Sequence, residues 1–436
     1  MKASISRTGD RIGALFVKLL ANMAARAVAL ACVALATVIV ARTEGAAGVG
    51  IYALLRVLPG LLGVVISCGL PGAIAFFLAG PSRDDRRLPL TIVAMAALGG
   101  GAGTVLWLAA TPMLSAHLFA GVSMPLVALA GVTVFTQLFV ATAKSCSQGS
   151  GDLRGANLVI VNEEFMFLPV YGLFLAAGVS GRGVLIVSLL AADLLAIAWG
   201  WARLARRGMF RGVERPSVPL GKQIAIYGLR AQIGGIMSLL NLRLDFIILT
   251  VLTGPAVLGV YAIASKFAEL IKVPGLALTY VLYPQYSSEG KQRATAAARR
   301  LIPRAGIALA AGVIPLWLLS GWLIPALYGT TFTRAVTPAR IILLGLVLEG
   351  VAGVISAYLY GVGRPGLNSC AMGVGLVVCV LLDLLLIPPF GSTGAAAASA
   401  ATYLTSTFAL VACFGWLQRS DSDIPNPRAV ATTDPG

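Results

Sequence analysis

The chain has 436 residues, of which 58% are hydrophobic and only 11% charged, with a formal net charge of +16. Mean hydropathy is +0.90. Soluble domains carry about a quarter charged residues, so a soluble globular protein is excluded and a polytopic membrane protein is expected.

The first apolar run, near 14–41, is longer than a signal-peptide core and another run follows it directly, so it reads as a retained helix. Eleven more follow, near 50–79, 88–110, 121–143, 157–178, 183–203, 222–252, 257–285, 302–327, 336–361, 367–388 and 393–417. We number these runs spans 1 to 12. Turn chemistry separates them: "GPSRDDRR" (80–87), "SQGSGD" (147–152), "GRPG" (363–366) and "PPFGSTG" (388–394). Lipid offers the backbone no hydrogen bonds, so each run is expected to be a helix. The strict alternation of barrel strands is missing from the sequence. The expected fold is an all-α polytopic membrane protein of about 12 transmembrane helices.

Basic residues set the orientation. With the N-terminus inside, twenty-two lysines and arginines fall on cytoplasmic segments, the densest being Arg203, Arg206, Arg207, Arg211, Arg215 and Lys222. Only Arg42, Arg182 and Arg334 fall on the opposite side. That asymmetry predicts both termini in the cytoplasm. The positive charge then reads as topology and attraction to anionic membrane lipids, not nucleic-acid binding. Six cysteines form no Cys-x-x-Cys pair and His117 is the only histidine, so neither a disulfide framework nor a metal site is indicated. No phosphate-binding Gly-rich motif with Lys is present, and no cofactor is implied.

"GVGIYALLR" (48–56) and "VLGVYAIASK" (257–266) carry one phrase twice. At an offset of 209 residues Gly45 meets Gly254, Ala47 meets Ala256, Gly50 meets Gly259, Tyr52 meets Tyr261 and Ala53 meets Ala262. Span 1 thus falls on span 7 and span 2 on span 8. Six spans per repeat keep both halves in the same orientation, related by an axis along the membrane normal. The expected domains are an N-terminal lobe (1–205), a basic linker (206–221), a C-terminal lobe (222–418) and a polar tail (419–436). Gly50 and Gly259, with Tyr52 and Tyr261, are the expected helix-packing positions of the repeat.

Eight basic residues lie in or at the edge of spans. Seven of them, Lys18, Arg26, Arg56, Arg230, Arg243, Lys266 and Lys272, sit on spans 1, 2, 7 and 8. A charge at mid-membrane costs roughly 2.5–3.5 kcal/mol, so it normally faces a cavity or a partner. Arg26 lies roughly 18 Å from the inner end of span 1, and Lys266 roughly 14 Å from the outer end of span 8. Lys18, Arg340 and also Arg56 are near enough to an end for snorkelling to be the alternative to a cavity. Buried acids are Glu163, Glu164, Asp193, Asp245, Glu269, Glu349 and Asp383. These are candidates for ion coupling or for charge pairing. Glu269 is three residues from both Lys266 and Lys272, a spacing for a local ion pair. Arg243 and Asp245 are two apart and point to different sides of their helix.

The run "YGLRAQIGGIMSLLNLRLDFIILTVLTGPAVLGVYAIASKFAELIKVPGLALTYVLYPQYS" (227–287) resembles spans 7 and 8 of the polysaccharide-transport family of Wzx-type flippases. The pattern is Arg-x-Asp at Arg243 and Asp245, Gly-x-Tyr at Gly259 and Tyr261, and a closing Pro284. "GAAGVGIYALLRVLPGLLGVVISCGLPGAIAFFLAG" (45–80) resembles the second span of that family. Its superfamily also holds MATE-type multidrug exporters and lipid II flippases. The resemblance implies two pseudo-symmetric six-helix lobes around a cavity, in a bacterial inner membrane. It implies flipping of undecaprenyl-pyrophosphate-linked oligosaccharide to the periplasmic leaflet for lipopolysaccharide or O-antigen assembly, beside other polysaccharide-assembly membrane proteins. Arg26, Arg56, Arg230, Arg243, Lys266 and Lys272 would bind the phosphate-bearing headgroup, because guanidinium forks pair with phosphate oxygens.

Two other classes compete. A membrane glycan polymerase or ligase needs an extramembrane catalytic surface, and the outer loops here are short. The sequence therefore reads as a non-enzyme. A multidrug or cation antiporter of the same superfamily would call for an acidic cavity, against which the cations of spans 1, 2, 7 and 8 argue.

Overall fold

The computed structural model describes residues 2–80, 84–272, 282, 286 and 291–422, and every regular element among them is helical. Apolar side chains cover most of these helices on all sides, as they must where the solvent is lipid. Nine helices among the described residues are long and apolar enough to cross a membrane. The first, Ala21–Ile66, is 46 residues long and holds spans 1 and 2 joined at a bend. Span 7 is the 36-residue helix Val218–Thr253. Span 8 begins as Pro255–Glu269, and its second half, with Pro284, lies outside the described residues. The tail beyond 422 also lies outside them.

The bend is at Gly45, whose backbone has φ 68 and ψ −164. Its repeat mate Gly254, between spans 7 and 8, has φ 89 and ψ 170. Only glycine populates that region without strain. Both halves of the chain therefore make the same corner with the same residue. Span 2 breaks a second time between Ile66 and Leu70, where Cys68 takes φ 51.

The chain separates into two compact units. One comprises Met1–Ile263 with Leu323–Ala335, the other Ala264–Trp322 with Val336–Gly436. The first holds spans 1 to 7, the start of span 8 and the C-terminal end of span 9. A cluster including Ile74, Phe77, Ile92, Cys146, Leu204 and Ile224 forms part of its core. The basic linker is anchored in it: the Glu214 N–H donates to Arg86 O at 3.0 Å, and the Ser217 N–H to Thr91 Oγ1 at 3.0 Å. The second unit packs around Tyr286, Tyr358 and Phe414. Its helices include Lys291–Tyr328 (span 9, whose C-terminal end belongs to the first unit), Pro365–Phe390 (span 11) and Ser392–Ser422 (span 12). Span 10 comprises Val336–Gly345, a 3-10 turn Leu346–Leu348, and Glu349–Gly361.

Several spans differ in extent from the sequence expectation. Span 4 continues as helix Val132–Gly149, past its expected end at 143, so Lys144 is on the helix. Span 5 is two helices, Leu153–Phe165 and Phe167–Ala176. Span 9 starts at Lys291, and Arg293, Arg299, Arg300 and Arg304 ride on its first turns.

Candidate functional site: the charged residues of spans 1, 2, 5, 7 and 8

Span 5 carries a polar face in the first unit. Asn157 and Glu164 are seven residues apart on one helix, two turns that return to the same side. At the lower turn, Asn22 of span 1 donates from Nδ2 to Asn157 Oδ1 at 2.7 Å. Arg26 Nε donates to Asn22 Oδ1 at 3.0 Å. At the upper turn, Arg56 Nη2 of span 2 donates to Glu164 Oε1 at 2.5 Å. The Arg56 guanidinium also lies over the Tyr52 ring, 5.8 Å from its centroid. Glu163 points elsewhere, with Lys144 Nζ 3.9 Å from Oε2. Asp193 of span 6 is buried and accepts from Thr136 Oγ1 at 2.5 Å.

Span 7 supplies a second polar set in the same unit. Asp245 is buried; Oδ1 accepts the Phe246 N–H at 2.8 Å, and Oδ2 accepts the Tyr261 hydroxyl. Arg243 turns aside, its guanidinium 5.2 Å from the Phe246 ring centroid. This is the divergence that a spacing of two requires. Arg230 is exposed.

In the second unit, Lys266 Nζ donates to Glu269 Oε2 at 2.9 Å, an i,i+3 pair. Lys272 does not repeat that geometry. The helix ends at Glu269, and Lys272 Nζ lies 4.0 Å from the Tyr403 ring centroid on span 12. Glu349 is half-buried at the start of the second half of span 10. Asp383 is fully buried on span 11 and its Oδ2 accepts the Cys379 thiol at 3.4 Å. Arg340 donates to Ser320 Oγ at 3.0 Å and stacks on Trp317, 4.5 Å from the ring centroid.

The crossing of the repeats is tight. A Cβ built on Gly50 would lie 1.8 Å from Pro255 O, and one built on Gly259 would lie 1.8 Å from Ala46 O. Pro255 is the repeat mate of Ala46, so each half meets in the other the same surface that it presents. That reciprocity is the mark of a two-fold contact.

Outside the spans, Asp152 closes the turn between spans 4 and 5. It caps the helix that follows, accepting the Gly155 N–H at 2.9 Å, and pairs with Arg203 at 2.9 Å and Arg207 at 3.2 Å. Burial pushes its carboxyl up, but Arg203, the Gly155 N–H and Arg207 outweigh burial and hold it below the usual carboxylate range.

Arg26, Arg56 and Arg243 thus each engage their own partners. Lys266 and Lys272 belong to the other unit. Sequence reasoning missed Asn22, Asn157 and Thr136. The available signal was an amide or hydroxyl inside an apolar run, which has to bond across helices.

No family model matches the chain. Among solved structures, an inward-facing multidrug resistance MATE transporter of the MOP superfamily covers 91% of this chain and 94% of its own, at TM-score 0.72 and 16% identity. The fold is MATE-like. A lipid II flippase MurJ in an inward closed conformation matches at TM-score 0.72 and 13% identity, covering 92% of this chain and 87% of its own. A MOP superfamily transporter from Pyrococcus furiosus, described by a binding pocket of reverse polarity, matches at TM-score 0.63 and 15% identity over 94% and 95%. In sequence, the chain is 24% identical over 231 residues to the "Probable low-salt glycan biosynthesis flippase Agl15" of Haloferax volcanii. That match covers 51% of this chain and 47% of the relative, so the chain spans about half the length of the curated relative. These likenesses agree with the resemblance to flippases carried by spans 2, 7 and 8.

Proposed function

We propose that this multi-pass membrane protein flips a lipid-linked oligosaccharide by alternating access. It acts as a transporter and not as an enzyme. The observation that carries the reading is the sequence match to a glycan biosynthesis flippase on a fold shared with MATE and MurJ transporters. The cations of spans 1, 2, 7 and 8 support it. In this reading Arg26, Arg56, Arg230, Arg243, Lys266 and Lys272 receive a polyprenyl-pyrophosphate headgroup while the prenyl tail stays in lipid. The headgroup moves from the cytoplasmic to the outer leaflet of a bacterial inner membrane, with both termini cytoplasmic. The two lobes are 1–205 and 222–418, joined by the basic linker.

The local pairs limit how the cations act. Glu164 and Glu269 neutralise Arg56 and Lys266, so a phosphate has to compete with a carboxylate for them. Arg26 and Arg230 are exposed on their helices, which makes them the first cations an anion would meet.

A second reading has its own support. Glu163, Glu164 and Asp193 lie on spans 5 and 6 of the first unit, and acids in a MATE-like fold suit a cation antiporter. One experiment separates the two. Deleting the gene should cause a lipid-linked sugar to accumulate on the cytoplasmic leaflet, and restoring the gene should clear it. Unchanged lipid-linked sugars with altered sensitivity to organic cations would replace the flippase reading with the antiporter.

A further inference from the structure

We propose that Arg42 is a working residue of the transport cycle: a latch that holds shut a gate at the outer ends of spans 1, 2, 8 and 9. The proposal rests on alternating access, as in the reading above, but not on the identity of the substrate.

The last four carbonyls of any helix lack partners within it. At the end of span 9, Pro325 O is taken by the Gly329 N–H at 2.9 Å. Leu327 O accepts from Arg42 Nε at 2.8 Å, and Ala326 O from Arg42 Nη2 at 2.6 Å. The planar guanidinium fork thus grips two adjacent carbonyls at the negative end of a helix dipole. All of these residues belong to the first compact unit, and residues 323–335 join it although the rest of span 9 does not.

The base of the latch is fixed. Thr43 Oγ1 and the Tyr171 hydroxyl are 2.9 Å apart, and Glu44 Oε1 accepts the Gly181 N–H at 2.6 Å. These bonds tie the outer end of span 1 to span 5 and to the turn before span 6. Arg42 is therefore carried by the first six spans, and its acceptors by the last six. Eight residues further along the chain is Gly50, at the Gly50–Gly259 crossing, where backbone meets backbone with no room for a Cβ. Opening the outer side has to separate both contacts together.

Two features mark Arg42 as a reversible latch and not a plain helix cap. It is exposed, so water can take over its hydrogen bonds when the gate opens. Its repeat mate is Val251, which is exposed and apolar, so the twofold of the crossing does not extend to the latch. The contact is one-sided, as expected of a device added to a symmetric scaffold.

The test reads accessibility. Val49, beside the crossing, is 1% exposed. Val49→Cys is placed in the full chain in proteoliposomes. A membrane-impermeant maleimide is added from either face, and labelling of the six native cysteines is measured without Val49→Cys and subtracted. Arg42→Ala should speed labelling of Val49→Cys by about 5- to 30-fold, the shift expected for losing one or two kcal/mol of closed state. Arg42→Met, of similar length and without donors, should do the same. Arg42→Lys should have a smaller effect, because an ammonium cannot fork two carbonyls. Unchanged labelling in both Arg42→Ala and Arg42→Met would overturn the latch. Faster labelling in a protein that moves no glycan would leave the latch standing and remove the substrate reading.

Discussion

The repeat supplies an internal control for one prediction. Tyr261 and Tyr52 are mates, both at most 3% exposed, yet their hydroxyls differ in partners. Tyr261 donates to the buried Asp245. The mate of Asp245 is Ala36, and Tyr52 Oη has no hydrogen-bond partner among the described residues. Tyr261→Phe deletes a hydrogen bond to a buried carboxylate, a loss of about 1.5–3 kcal/mol. Tyr52→Phe removes a hydroxyl that was desolvated without return, so its cost should lie near zero, within about 0.5 kcal/mol, or stabilise slightly. Ring packing is retained in both: Tyr261 stays edge-on to Phe246 at 5.6 Å and Tyr52 stays against Phe167 at 5.1 Å. The assay is unfolding of the full chain in mixed detergent–dodecyl sulfate micelles, followed by tryptophan fluorescence. The difference between the two variants should be about 2 kcal/mol. Equal shifts, or a larger loss for Tyr52→Phe, would show that Asp245 does not depend on its tyrosine.

Three further outcomes are expected. Glu269→Gln should reduce abundance more than transport per molecule, because Lys266 loses the carboxylate 2.9 Å away; equal abundance with an altered ion dependence would make Glu269 a coupling residue. Asn157→Leu should weaken the Arg26–Asn22–Asn157 relay by about 1 kcal/mol and raise the substrate KM, while Asn157→Asp, which keeps an acceptor for Asn22, should restore it. Asp152 has a depressed pKa, so its stabilisation is present above the unfolded value of about 3.9 and is lost as pH falls through the lower folded value. The stability gap between wild type and Asp152→Asn should therefore stay constant from about pH 5 to 8 and shrink below about 4; a gap that widens on acidification would reverse the sign.

What could be read from the sequence was what lipid or steric exclusion forces. Apolar length predicted the helices because no other backbone arrangement satisfies itself in lipid. The Lys266–Glu269 pair was legible from spacing because both residues sit on one helix. The same rule failed for Lys272, because the helix ends at Glu269 and its axis no longer carries the spacing forward. Span 4 is expected to end near 143 because "SQGSGD" reads as a turn, yet the helix runs on to Gly149 before turning. Contacts such as Arg56–Glu164 and Thr136–Asp193 join residues 108 and 57 positions apart. No local pattern encodes them, since they depend on which helices become neighbours.

The glycine pair was legible for a different reason, and it yields a quantitative test. At a two-fold crossing each half is the obstacle the other must clear, so the steric demand falls equally on both. Gly50 and Gly259 meet the same clearance of 1.8 Å to a carbonyl oxygen of the opposing half. Ordinary contact begins near 3.4 Å, so an alanine at either position has to push the helices apart by roughly 1.5 Å. Overpacking of this kind costs about 1–3 kcal/mol. Once one alanine has spread the crossing, the second finds the space already made, because both act on the same gap. Gly50→Ala and Gly259→Ala should therefore destabilise equally, and the double variant should cost clearly less than twice either one. The Tyr52–Tyr261 pair should show the opposite behaviour, with unequal single effects, because side-chain partners are not bound by the backbone symmetry. Unequal glycine effects, or strict additivity in the double variant, would mean that the two positions do not share one contact.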